Sequence, residues 1–262
     1  MLRRVSDLFG FDIVARDEET GKLDEAGTIT DLYFEEENWT VRYAVVDTGG
    51  WLTGRKVLIS PASFMPLHWE KKVIPVELTK RQIEDSPDVD LAQTVSQQAL
   101  ADLHAYYGWP AYWAGSVPMG SVHAGAYTAP AAAQEFPAER RRRQTTEPEE
   151  WQPHLRSARE VIGYGIQAQD GGIGHASDMF VEEESWTIRY LLVDTQPWWP
   201  GKHVLVSIDW VTSLDWAEGE FVVNVTKDKI HDSPEYDPQK PVSRRYEQDL
   251  HEYYGVPGYW MW

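Results

Sequence analysis

The sequence predicts an all-β protein with short helices, made of two tandem six-stranded antiparallel β-barrels that each carry a helical C-terminal extension. Three observations favour this fold class. The chain repeats itself at a fixed offset, each repeat contains short apolar runs separated by turn residues, and the central runs are apolar on both strand faces. Short strands at regular spacing are typical of small barrels.

The repeat has an offset of 147 residues, which relates Trp39 to Trp186. No gap is needed in the first copy from Gly27 to Trp113. Self-similarity over such a length indicates that one domain has been duplicated.

We therefore expect a first domain over residues 1–114 and a second domain over residues 151–262. Residues 115–150 match nothing in the other copy and are rich in Ala, Pro and Gly, which predicts a linker. This linker contains the arginine run from Arg140 to Arg143. The run could clamp a phosphate group, but in an acidic protein it more readily pairs with the chain's own carboxylates or stays solvated.

Six short runs in each copy predict the strands. The run from Val41 to Asp47 is central, because side chains alternate between the two faces of a strand and both faces here are apolar. A sheet that is apolar on both faces needs a cover on its outer side. In the first copy the predicted strands are Ile13 to Ala15, Thr28 to Phe34, Val41 to Asp47, Val57 to Ser60, Phe64 to Trp69 and Val73 to Leu78.

Two helices follow these strands. The pattern Thr79 to Gln82 is a capping box that starts a single helical turn, and Pro87 ends it. A longer helix is predicted from its N-cap Ser96 to Tyr107, and the second copy repeats it from Ser243 to Tyr254.

Composition limits the possible partners and compartments. The chain of 262 residues has 24 Lys and Arg against 42 Asp and Glu, a net charge of −18, so nucleic acid is a disfavoured partner. It has no cysteine, which excludes disulfides and thiolate metal sites. No apolar stretch has the length of a membrane helix or the form of a signal peptide. We expect a cytoplasmic protein without an integral membrane segment.

Two motifs, Trp-Thr-x-Arg-Tyr and Val-Leu-x-Ser, occur in both copies. They lie in Asp31 to Tyr43 and Val57 to Pro61 of the first copy, and in Trp186 to Ser207 of the second, where Gly174 to Asp178 also match. These stretches resemble the PRC-barrel family, and in particular its bacterial members with two barrels in tandem. The resemblance covers almost the whole chain outside the linker.

The resemblance implies a β-barrel that serves as an interaction or assembly module, with no shared catalytic residues. Relatives include the cytoplasmic domain of the photosynthetic reaction-centre H subunit and a domain of a ribosome-maturation factor. Two departures matter. The second copy has Ile208 where the first has Pro61, and the membrane anchor of the reaction-centre subunit is missing, which argues against that role.

Three patterns in the sequence resemble chemical sites. The stretch Gly163 to Ala168 fits a dinucleotide fingerprint, but glycine-rich turn residues follow where a helix is required, so a turn of the barrel is favoured. The runs Glu35 to Glu37 and Glu182 to Glu184 could bind a hard cation, but without a calcium-loop pattern a solvated hairpin turn is favoured.

The third pattern, Asp102 with His104 and Asp249 with His251, supplies a carboxylate near an imidazole. Residues two apart on a helix do not face each other, and no nucleophile motif accompanies them. We therefore assign no catalytic, cofactor-binding or metal-binding residue and expect these four residues to be structural.

Aromatic residues at turns and tails are the predicted interaction sites. A tryptophan at a turn is either packed inside the protein or serves as an anchor for a partner, because large rings dominate binding hot spots. The candidates are Trp51, Trp198, Trp199, Tyr112, Trp113, Tyr259 and Trp260.

Three function classes follow. A non-enzymatic structural or assembly module that binds a protein partner or itself fits best, with the two copies docked as a pseudo-dimer within one chain. An RNA-processing or ribosome-maturation accessory is an alternative that conflicts with the negative charge. A small-ligand barrel or enzyme is a further alternative, but a six-stranded barrel is normally filled by its own side chains.

Overall fold

A computed structural model describes residues 1–52, 54–89, 95–113, 154–195 and 201–261. The predicted linker and two of the candidate residues, Trp198 and Trp199, lie outside these ranges. We call residues 1–113 repeat one and residues 154–261 repeat two.

Repeat one has six strands and three helices. The strands are β1 Leu2–Arg4, β2 Asp12–Arg16, β3 Leu23–Glu35, β4 Thr40–Asp47, β5 Lys56–Ile59 and β6 Val73–Thr79. The helices are α1 Val5–Leu8, α2 Lys80–Glu84 and α3 Gln97–Tyr107.

Repeat two has the same order with one additional strand. Its strands are β7 Leu155–Ser157, β8 Gly165–Ala168, β9 Gly171–Glu182, β10 Ile188–Asp194, β11 His203–Ser207, β12 Val211–Asp215 and β13 Glu220–Val223. Its helices are α4 Ala158–Val161, α5 Lys227–His231 and α6 Arg244–Tyr254. The predicted all-β class with short helices is confirmed.

The strands form two sheets, in the orders β5-β4-β3-β2-β6 and β11-β10-β9-β8-β13-β12. Most pairs are antiparallel, but β2 pairs with β6 and β8 pairs with β13 in parallel. The prediction of purely antiparallel sheets was wrong at these two pairs, which long connections join in place of hairpins. Within the described residues no ladder joins the two end strands of either sheet, so the predicted closure into a barrel is not seen.

The predicted strand from Phe64 to Trp69 differs between the repeats. In repeat one this segment makes only isolated bridges, from Phe64 to Val76 and from His68 to Val73. The equivalent segment of repeat two forms β12. Pro66 explains the difference, because proline has no N–H group to donate to a ladder.

The central strand β4 is buried on both faces, as its sequence predicts. In repeat two the outer cover is the long C-terminal helix, whose Leu250 and Tyr254 pack on Tyr190, Leu192 and Leu205 of the sheet. The predicted helix boundaries are also confirmed. The N-cap hydroxyl of α3 accepts a hydrogen bond from the Ala99 N–H at 3.2 Å, and the helix ends at a glycine in the left-handed conformation.

The first strand of each repeat is added to the sheet of the other repeat. In the first exchange, β1 pairs antiparallel with the end of β9, with Leu2 opposite Glu182. In the second, β7 pairs antiparallel with the end of β3, with Leu155 opposite Glu35. Neither β1 nor β7 was predicted as a strand. The exchange makes each sheet depend on residues from the other half of the chain.

Candidate functional site

The junction between the repeats is closed by two equivalent polar contacts. Arg3 pairs with Glu183 of the other repeat at 3.1 Å and stacks on the ring of Trp69 at 4.0 Å. Trp69 Nε1 also donates to Glu183 at 3.2 Å. A cation between an aromatic face and a carboxylate is held by both attractions at once.

The same arrangement occurs with the roles of the repeats reversed. Arg156 pairs with Glu36 at 2.9 Å and stacks on Trp216 at 3.9 Å. Glu35 is buried and pairs with Arg42 of its own repeat. The interpretation of the glutamate runs as solvated turns was therefore wrong for Glu35, which pairs within its own repeat. It was also wrong for Glu36 and Glu183, because the exchanged strands bring arginines from the other repeat onto them.

Two aspartates, buried Asp178 and half-buried Asp31, cap the short helices that follow the exchanged strands. Asp178 accepts from the Ser6 hydroxyl at 2.5 Å and from the Ser6 N–H at 3.2 Å. Asp31 accepts from the Ser157 hydroxyl at 2.5 Å and from the Arg159 N–H at 3.0 Å. Burial raises the pKa of both carboxyl groups. Each aspartate belongs to one repeat and its serine to the other.

Trp39 and Trp186 meet where the two repeats cross. Each adopts a positive φ, 54° and 55°, which a bulky residue holds only when its surroundings fix it. The Trp186 carbonyl accepts from the Val41 N–H at 2.8 Å, and the Trp39 carbonyl accepts from the Ile188 N–H at 2.7 Å. These reciprocal bonds join the two repeats through their main chains.

The rings of these two tryptophans also cross the junction. Trp39 lies 6.0 Å from Phe221, and Trp186 lies 5.1 Å from Phe64, each in the other repeat. Buried residues of both repeats form one large apolar cluster, and a second cluster around Tyr190 joins Leu2 of repeat one to the C-terminal helix of repeat two. The tryptophan that starts the repeated motif in both repeats therefore packs at the contact between the repeats.

His104 of repeat one holds the tail that follows α3. Its Nδ1 lies 3.0 Å from the Pro110 carbonyl, and its Nε2 lies 2.6 Å from the Tyr43 hydroxyl. A carbonyl can only accept, so the proton is on Nδ1 and the tyrosine donates to Nε2. Burial lowers the pKa of His104, which agrees with a neutral ring.

His251 makes the equivalent contacts in repeat two. Its Nδ1 lies 3.1 Å from the Pro257 carbonyl, and its Nε2 lies 2.8 Å from the Tyr190 hydroxyl. The neighbouring aspartates do not take part, because Asp102 accepts from Gln98 at 2.7 Å and Asp249 lies 3.8 Å from Arg245. Both histidines therefore have a visible structural role.

The four tail residues among the interaction candidates lie against their own repeats. Trp113 is 4.7 Å from the ring of His104, and Trp260 is 4.9 Å from that of His251. Tyr112 and Tyr259 each carry an arginine on their face, Arg42 at 4.1 Å and Arg189 at 4.1 Å. The tails thus help to cover the sheets, and their partly exposed faces remain candidates for contact with a partner.

Trp51 is the candidate with the most exposed ring among those described. Its residue surface is 37% exposed, while its Nε1 donates to the Ala26 carbonyl at 3.2 Å and Lys80 lies 4.7 Å from the ring. Leu23, at the start of β3, is also exposed. The ring is therefore both accessible and held in place.

The dinucleotide pattern has no structural support. Gly165–Ala168 form strand β8, which leads through a turn into β9, so no helix N-terminus is present to bind a pyrophosphate. Within the described ranges no group of His, Asp and Glu side chains is arranged to hold a metal ion. The described helices are all too short or too polar to cross a membrane.

Comparison with known proteins fits this fold. Residues 2–82, which include every strand of repeat one, match the family model of the PRC-barrel domain. This part of the chain is a PRC-barrel domain. The chain is also similar to an uncharacterized protein of Deinococcus radiodurans, with 37% identity over 76 residues. The alignment covers 29% of this chain and 26% of that protein, so the chain spans about a quarter of the length of this curated relative.

Sequence reasoning missed the residues that join the repeats. Leu2 and Arg3 recur as Leu155 and Arg156, at an offset of 153 residues, because repeat one has a longer hairpin between its second and third strands. A search for the repeat that allowed one gap would have found them. Their exchange between sheets has no local signal in the sequence.

Proposed function

We propose that the chain is a non-enzymatic, cytoplasmic assembly module that binds a protein partner, or a second copy of itself, through two tandem PRC barrels. The two copies act as a pseudo-dimer within one chain. The exchanged strands support this proposal, because each repeat adds a strand to the sheet of the other and the two repeats are thereby joined. A scaffold whose parts are joined before binding loses less conformational entropy when it binds.

The observation that carries the proposal is the position of Trp51. An exposed tryptophan whose ring is already fixed resembles the anchors that dominate protein interfaces. Leu23 is also exposed and lies three residues before Ala26, whose carbonyl accepts from the Trp51 indole, so both side chains are near the start of β3. We propose this surface as the first contact for a protein partner, with the tail rings as further candidates.

We expect Trp51→Ala to abolish partner binding while leaving folding nearly unchanged. The stability change should be about 2 kcal/mol or less, because the ring is partly exposed and loses only the contacts that include its hydrogen bond to the Ala26 carbonyl. Affinity purification from the native host with mass spectrometry measures binding of a protein partner. Sedimentation of the purified chain measures association with a second copy. Met65→Ala is the matched control, since Met65 is 39% exposed and belongs to the same repeat.

Two results would oppose this function. If Trp51→Ala lowers stability by several kcal/mol and leaves the captured proteins and the sedimentation coefficient unchanged, the ring is a packing residue and not an anchor. If the chain instead shifts with RNA in a salt-dependent way, the RNA-processing alternative gains support.

A further inference from the structure

The two repeats differ at one buried position beside the histidine clamp. Repeat one has Leu100 there, and repeat two has Glu247, which is 3% exposed. The Glu247 Oε1 lies 3.2 Å from the Tyr190 hydroxyl and 2.9 Å from the Tyr259 hydroxyl. A buried carboxyl group that the sister repeat lacks requires an explanation, because burial of a charge is costly.

The hydrogen bonds of repeat two need one more proton than neutral His251 and Tyr190 supply. Three contacts must each contain a hydrogen: Nδ1 to the Pro257 carbonyl, Nε2 to the tyrosine oxygen, and the tyrosine oxygen to Glu247 Oε1. A neutral imidazole has one N–H and a tyrosine has one O–H. Two hydrogens cannot fill three contacts, so a third must come from Glu247 or from a protonated ring.

The clamp of repeat one has no such shortage. Its two contacts, from His104 to the Pro110 carbonyl and from Tyr43 to His104, use the ring N–H and the tyrosine O–H. Leu100 adds no acceptor. The same clamp is therefore complete in the neutral state in repeat one and incomplete in repeat two.

We propose that Glu247, Tyr190 and His251 form a buried proton-binding site, in which Glu247 is a neutral carboxylic acid that donates its proton to the Tyr190 oxygen. Tyr190 then donates to His251 Nε2, and the ring Nδ1–H donates to the Pro257 carbonyl. Oε1 also accepts from Tyr259, and Oε2 accepts from Arg244, whose guanidinium lies at 3.1 Å. All contacts of the cluster are satisfied in this state.

Charged groups on every neighbouring element affect where the proton lies. Burial raises the pKa of Glu247 and lowers that of His251, so both shifts favour the neutral acid beside the neutral ring. Arg244 favours the carboxylate, and it also disfavours a second positive charge on the imidazole. The facing groups are Glu182 on β9, Arg189 and Tyr190 on β10, Asp209 after β11, Arg244 and His251 on α6, and Tyr259 in the tail.

Loss of the proton weakens the C-terminal tail. Without it, Tyr190 can donate either to Glu247 or to His251, so either the ring Nε2 loses its donor or the carboxylate keeps only Tyr259 and Arg244. Tyr259 and Pro257, which hold the tail to the repeat, bind these same two residues. The tail of repeat two is therefore tied to the protonation of a buried carboxyl group, which repeat one lacks at the equivalent position.

The sign of the effect follows from the direction of the shift. A carboxyl group whose pKa in the folded state is raised above its usual 4.5 binds more protons folded than unfolded. Its contribution to stability is present below pH 4.5 and is lost as the pH rises through the folded pKa. Between pH 4.5 and the pKa of the folded state, the unfolding equilibrium constant should rise about tenfold per pH unit. The comparison is with a protein that has a residue at this position that does not titrate.

Glu247→Gln tests this proposal, because the glutamine amide can donate a hydrogen bond to the Tyr190 oxygen at every pH, whereas the carboxylic acid can do so only while it is protonated. Urea unfolding of the full chain from pH 4 to pH 8 should show the wild type losing stability relative to this variant as the pH rises. Asp249→Asn is the matched control, since Asp249 is an exposed carboxylate on the same helix. It should show no such trend.

Infrared spectroscopy keeps the proposal testable even if the variant folds poorly. The wild-type chain, labelled with ¹³C in its glutamate side chains, should show the carbonyl band of a protonated carboxylic acid above pH 4.5, and Glu247→Leu should lack it. A wild-type spectrum without this band, or a stability difference between wild type and Glu247→Gln that does not change with pH, would overturn the proposal.

Discussion

Replacing Trp109 with valine should lower the stability of the chain by about 3 kcal/mol, and adding Ser63→Trp should recover a large part of that loss. Trp109 is buried, stacks on Tyr107 at 4.3 Å and donates from Nε1 to the Ser63 hydroxyl at 2.6 Å. Removing a buried indole leaves a cavity, which costs several kcal/mol in proteins generally.

Repeat two shows the compensated arrangement. It has Trp210 at the position of Ser63 and Val256 at the position of Trp109. The Trp210 ring lies 3.9 Å from that of Tyr254, which is the counterpart of Tyr107. One indole thus fills the same space in both repeats. In repeat one it comes from the tail after α3, and in repeat two it comes from the connection between β11 and β12.

Chemical denaturation of the two single variants and the double variant measures this coupling. Ser63→Trp alone should also destabilise, by about 1–3 kcal/mol, because two indoles cannot share the space. The double variant should therefore be more stable than the sum of the single effects indicates. If the two costs simply add, the rings do not occupy a common space and the comparison of the repeats is misleading.

The sequence predicted the strands and helices that have a local signal. Val41 to Asp47 alternates between two apolar faces, Thr79 caps its helix, and Gly108 ends the next, so propensity and burial agree at these positions. Phe64 to Trp69 failed because Pro66 removes one ladder donor, although the run is apolar. Phe64, Leu67 and Trp69 still pack against the core, but isolated bridges replace the ladder.

The contacts between the repeats could not be predicted in the same way. Leu2–Arg4 has three residues, two of them arginine, and carries no strand pattern. It becomes a strand only because the end of β9 offers unpaired main-chain groups, which is a tertiary effect. The burial of Glu247 could not be predicted either, since a glutamate among the polar residues of a helix ordinarily faces water. Only the packed structure places it against Tyr190.

The exchanged strands explain how the repeated motif can be so aromatic at its start. Trp39 and Trp186 would be exposed in an isolated repeat, and they are buried or half-buried here because each contacts a ring of the other repeat. The stability of one repeat is therefore partly a property of the other. This coupling should be visible when one exchanged segment is removed.

Deleting residues 1–9 should destabilise repeat two, although these residues belong to repeat one. Leu2, Val5 and Leu8 are buried, and burying such a side chain contributes about 1.5–3 kcal/mol. The deletion also removes the Ser6 partner of Asp178 and leaves that buried carboxylate without its cap. The expected loss is on the order of 5 kcal/mol, most of which falls on the sheet of repeat two.

Hydrogen exchange locates the loss along the chain. In the deleted chain the amides of residues 180–182, which pair with β1, should lose protection before those of β4 and β5. Asp178→Asn is a milder companion, because asparagine keeps an acceptor for the Ser6 N–H and should cost far less than the deletion. Deprotection confined to β2 through β6 would mean that the N-terminal strand stabilises its own repeat and that the exchange is wrong. Deprotection of residues 180–182 would instead show that each repeat completes its sheet with a strand from the other, so that neither half of the chain reaches full stability alone.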